Sequence, residues 1–122
     1  MSTATQIFVA IAGLFHVAAF TLESLLFRNP STWQRFLVTS QEDAELIQRW
    51  AFNQGFYNLF LGLGAIDGLI GGGAQGRAVA LFACACMAGA AVVLVASDRR
   101  MARAATLQGV PPSIALVLAT VL

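Results

Sequence analysis

The chain has 122 residues, 58% of them hydrophobic and 11% charged, with a formal net charge of +1. Soluble domains sit nearer 45–50% apolar and about 25% charged, so this composition points away from a water-soluble globule. A charge this close to neutral gives a nucleic acid little to bind. The length suits a single domain. The reading is an all-α, polytopic integral membrane protein: a four-helix bundle with a short interfacial helix in its first loop, and the lipid bilayer as its main partner.

The first apolar run, residues 5–27, reads TQIFVAIAGLFHVAAFTLESLLF and has roughly the 20 residues that a bilayer core demands. No Lys or Arg precedes Arg28, and the run exceeds the 7–15 residues of a signal-peptide core, so it is expected to be a retained span. The loop after it, NPSTWQRFLV, opens on an Asn-Pro turn signal. Trp33, Phe36 and Leu37 then share one helical face, with Gln34 and Arg35 on another, as in a short helix lying in the membrane interface. In SQEDAELIQRW, Ser40 with Asp43 three residues on forms a capping-box pattern, and acids fill the first turn. A helix is predicted from Ser40, running without a break into the second span at residues 50–70.

Gly71–Gly73 predicts a tight turn. The third span is residues 78–97, rich in alanine. Cys84 and Cys86 sit two apart on it, so their side chains diverge and do not readily bridge. The fourth segment, residues 107–122, carries Pro111 and Pro112. Three alternatives stand: a helix that begins before the prolines and kinks, one that starts at them and stops short of the far face, or a segment that continues beyond Leu122.

There is no lysine, and six of the seven arginines fall in two loops: Arg28, Arg35 and Arg49 in the first, Arg99, Arg100 and Arg103 in the third. The positive-inside rule places those loops in the cytoplasm and, with four spans, both termini outside a cell (inner or plasma) membrane.

The chemistry lies in the first two spans. His16 and Glu23 are seven residues apart, nearly two turns, and so share a face. With the cytoplasmic surface near Phe27 and Trp50, Glu23 lies about 6 Å deep and His16 about 16 Å. On the antiparallel second span Asn53 and Gln54 lie about 5 Å deep, and Tyr57 and Asn58 about 11 Å. Glu23 is thus expected level with Asn53 and Gln54, and His16 just beyond Asn58. These six residues predict a polar pocket in the cytoplasmic half of the bundle, with His16 and Glu23 as catalytic candidates and Asn53, Gln54, Tyr57 and Asn58 as ligand-binding candidates. Intramembrane ionisable groups are functional candidates by default. The bland readings are interhelical hydrogen bonding at about 0.6 kcal/mol per contact and, for Glu23, an ion pair with Arg28 or Arg49.

HVAAFTLESLLF, FNQGFYNLFLGLG and LQGVPPSIALV together resemble a family of small four-span bacterial and fungal membrane proteins catalogued as domain of unknown function thirteen-zero-four. The resemblance covers nearly the whole chain and is most specific at His16 to Glu23 and at Asn53-Gln54-Gly55-x-Tyr57-Asn58. It implies the four-span architecture and brings no activity with it.

Three classes of function stand. The favoured one binds a lipophilic small molecule and transforms it by acid–base chemistry of the isomerase or hydratase kind, with His16 as proton shuttle and Glu23 as its base or charge partner. A carrier, proton-coupled and homo-oligomeric because one small chain cannot enclose a pathway, is the alternative. The third is an assembly subunit that docks through Gly64-xxx-Gly68-xxx-Gly72. No cofactor is predicted and no metal-ligand spacing occurs; haem on His16 would rest on one imidazole.

Overall fold

A computed structural model describes all residues, Met1–Leu122. The chain is all-helical, with no strand. Five α-helices follow in order: α1 (Thr3–Phe20), α2 (Pro30–Trp33), α3 (Gln41–Gly71), α4 (Gly73–Ser97) and α5 (Ala102–Val121). Three stretches are long and apolar enough to cross a membrane: Thr3–Leu25, Gly73–Ser97 and Arg99–Val121. α3 falls outside that set: even its most apolar stretch, residues 54–71, contains Gln54, Tyr57, Asn58 and Asp67. Around the structure α1 packs on α3, α3 on α4, α4 on α5, and α5 back on α1.

Local rules account for most of the element ends. Ser40 caps α3, its hydroxyl accepting the Asp43 N–H at 3.1 Å, and α3 then runs unbroken for 31 residues. It ends where Gly72 and Gly73 take φ of +59° and +60°, a region glycine enters without steric cost. The reversal lets α3 and α4 meet at once, Gly68 lying against Gly76 so closely that neither could carry a side chain. α5 includes both Pro111 and Pro112 in one 20-residue helix, so the helix of that segment begins before the prolines. Arg77 at the start of α4 donates to the Ala119 carbonyl at 2.7 Å, tying the end of α5 to the α3–α4 turn.

The main core gathers Val9, Ala12, Ala65, Ala80, Ala83, Cys84, Met87 and Ala115. Small residues dominate it, as expected where helix backbones approach closely. Large apolar residues such as Leu14, Phe60, Phe82 and Val93 point outward. Cys84 and Cys86 are both free.

A second small core forms at the other end, where Phe27, Trp33, Val38 and Ala44 are buried together. The short helix after Asn29 is present, but it lasts only four residues before a 3-10 turn at Gln34–Phe36. Its aromatic face is divided. Trp33 is buried against Phe27 and Val38, whereas Leu37 is exposed and held at φ +63°. The chain must turn sharply there to reach Ser40, and that reversal, rather than an amphipathic stripe, sets the directions of these side chains.

Candidate functional site

α1 does not end as an α-helix. Thr21–Leu25 forms a π turn, closed by the Leu26 N–H bonding the Thr21 carbonyl at 3.0 Å. Such turns insert one extra residue into a helix and recur at functional sites. Here the insertion lets consecutive residues both reach α3. Glu23 Oε1 accepts a hydrogen bond from Asn58 Nδ2 at 2.7 Å, and Ser24 Oγ donates to the Phe52 carbonyl at 2.7 Å. Gly55 makes the approach feasible, since any Cβ there would overlap Ser24 Oγ. Phe20 and Phe56 pack edge to face beneath these bonds, centroids 5.1 Å apart.

An open pocket of about 240 Å³ lies beside this contact. Glu23, Ser24, Arg28 and Gln48 supply its polar wall, and Leu25, Phe27 and Phe52 its apolar one. A neighbouring groove of about 320 Å³ continues from it along α3, sharing Gln48 and Phe52 and adding Glu45 and Arg49. The chain's single ion pair joins Asp98 and Arg100 at 2.7 Å, so Glu23 pairs with neither Arg28 nor Arg49.

The six expected site residues separate. Glu23 and Asn58 meet, although Glu23 was expected level with Asn53 and Gln54, about one turn nearer the helix start. The contact of Ser24 on Gly55 sets the interhelical register, and depth counted from the helix ends does not capture it. Asn53, Gln54 and Tyr57 are exposed, Tyr57 to 61%. At about 100° per residue, Asn53 and Tyr57 lie roughly 140° and 100° round the helix from Asn58. Gln54 is nearer Asn58, on the flank toward α4. α3 and α4 are tightest at their shared turn, where Gly68 and Ala80 are buried, and looser away from it, where Gln54 and Ala90 are both exposed.

His16 is 1% exposed. Its Nδ1 donates to the Ala12 carbonyl of its own helix at 2.8 Å, which leaves Nε2 as an acceptor, buried and without a partner. It does not line the pocket that holds Glu23. The imidazole is enclosed by the chain.

Ser24, Arg28 and Gln48 were not expected in the pocket. Ser24 was the legible one: a small hydroxyl beside a carboxylate in an apolar run, with Gly55 in the polar stretch of the facing helix. The glycines considered for assembly are used within the chain: Gly68 packs on Gly76 and Ala80, and Gly72 forms the turn.

Fold and site together define an all-helical protein with three segments long and apolar enough to cross a membrane and a carboxylate pocket where the first of them ends. The family described as "Protein of unknown function (DUF1304)" matches residues 10–120, and the chain belongs to it. No curated protein and no solved structure matches the chain.

Proposed function

We propose that this protein binds a lipophilic small molecule at the α1–α3 pocket, with the polar end of that molecule on Glu23. The observation that carries the reading is the Glu23 carboxylate on its π turn. One oxygen is fixed by Asn58, and the residue lines an open pocket with apolar walls. Exposed Leu25 and Phe52 beside it offer a lateral path for an alkyl tail. Turnover of the bound molecule, of the isomerase or hydratase kind, would use Glu23 as the proton-transferring group. Its fixed geometry is what such a role needs.

The site belongs in a four-span arrangement. α3 has 31 residues, rising about 46 Å at 1.5 Å each, more than the roughly 30 Å of a hydrocarbon core. It also packs between α1 and α4, both of membrane length. Alternation of the long helices puts the Arg28–Arg49 and Arg99–Arg103 segments at one end, the cytoplasmic one by charge, with α2 at the membrane interface.

The test is photolabelling in liposomes with a diazirine-bearing long-chain alcohol. Labelling should concentrate on peptides holding Leu25 and Phe52, and Glu23→Gln should lower it about tenfold, since a hydrogen bond to a charged group contributes about 1.5–3 kcal/mol. Labelling spread evenly over the outward residues Phe82 and Val93 would refute the reading.

A further inference from the structure

The pocket's polar wall carries an acidic and a basic side chain that leave each other alone. Glu23 and Arg28 both line it, yet neither takes part in an ion pair. Asn58 occupies one oxygen of Glu23, and the other has no partner within the chain. Arg28 is exposed and makes no hydrogen bond with its guanidinium. The pocket lies where the membrane-length segment Thr3–Leu25 ends, with Glu23 just inside that boundary and Arg28 just beyond it. That is the depth at which a bilayer changes from hydrocarbon to head groups.

We propose that this pocket selects a zwitterionic ammonium–phosphate head, the ammonium on the free oxygen of Glu23 and the phosphate on Arg28. The inference rests on the binding function proposed above and names the class of molecule bound. The chemistry is complementary at each point. A carboxylate with an open lone pair accepts an ammonium N–H, and a guanidinium matches a phosphate with its fork of donors. Phe27 and Phe52 line the same pocket, and aromatic faces attract ammonium groups. A purely anionic head would meet Glu23 as a like charge, and a purely cationic one would meet Arg28. Exposed Leu25, Leu26 and Phe52 leave a path by which the tails of such a lipid stay in the bilayer.

The experiment is native mass spectrometry of the full chain released from nanodiscs holding equal phosphatidylethanolamine and phosphatidylglycerol. The expected result is retention of the zwitterionic lipid over the anionic one by about tenfold. Glu23→Gln keeps an oxygen for Asn58 and should bring the ratio near one. Arg28→Gln, a change at an exposed position, should weaken retention of both lipids. A second arm adds free O-phosphoethanolamine. Displacement of the lipid by it assigns recognition to the head itself, whereas retention of the lipid despite it assigns the source to the membrane; either supports the proposal. Equal retention of the two lipids by the unmodified protein, or a preference that survives Glu23→Gln, overturns it. Failure is separable from failure of the binding function: diazirine labelling at Leu25 and Phe52 with no lipid preference sinks only the head-group assignment, whereas loss of that labelling sinks both.

Discussion

The contact between Ser24 and Gly55 fixes the register of α1 on α3, and Gly55→Ala tests that directly. The new Cβ would overlap Ser24 Oγ and lie 3.0 Å from both the Cβ and the backbone nitrogen of Ser24. The hydroxyl can rotate away, but only by giving up its 2.7 Å bond to the Phe52 carbonyl, a loss of about 0.6 kcal/mol by the measure of intramembrane hydrogen bonds. The Cβ and nitrogen belong to the π turn and retreat only if α1 moves, and overpacking of that kind costs about 1–3 kcal/mol. Displacing α1 also lengthens the 2.7 Å Asn58–Glu23 bond, for about another 0.6 kcal/mol. Alanine recovers roughly 1 kcal/mol of helix propensity. The net expectation is destabilisation by about 1–3 kcal/mol, read as a lower midpoint in a reversible unfolding titration in mixed micelles. Ser24→Gly in the same chain removes two of the three close atoms and should restore about half of the loss, so the two substitutions are non-additive. A stability equal to or above the unmodified protein's for Gly55→Ala would refute the register, and with it the placement of Glu23 opposite Asn58.

Two further predictions concern the loops. Leu37 holds φ +63°, where a side chain costs roughly 1–2 kcal/mol and glycine nothing; after the entropy cost of glycine, Leu37→Gly should stabilise by about 0.5–1 kcal/mol in the same titration, and a loss of stability would show that packing of the leucine outweighs the strain. The Arg100 guanidinium and N–H bonding Asp98 hold its carboxyl below the usual value of 3.8. The depressed value means that whatever this contact contributes is present above that pH and is lost as pH falls through the folded value. NMR titration should place Asp98 below 3.8 and Arg100→Gln should move it back; an unchanged titration would show that the pair does not persist in solution.

Part of this protein was legible in the order of its residues because local chemistry decides it. A serine before an acidic turn caps α3 wherever the helix goes. Three glycines in a row let the chain reverse between α3 and α4, and an apolar run near 20 residues long sets what can cross a bilayer. His16, Glu23 and Asn58 stood out as polar groups in apolar surroundings. The sequence does not reveal which of those groups would meet. The π turn at Thr21–Leu25 has no local signature. It sets how Glu23 and Ser24 face α3, so their partners depend on both helices at once. The same holds for His16, turned to its own backbone, for Trp33, drawn into the small core by the fold-back at Leu37, and for Tyr57, exposed where α3 and α4 part although it shares the helix face of Gly64 and Gly68, which pack on α4. Helical period fixes which residues share a face, but only the close approach of two backbones, permitted where a side chain is missing, decides which face is turned inward and at what level it finds its partner.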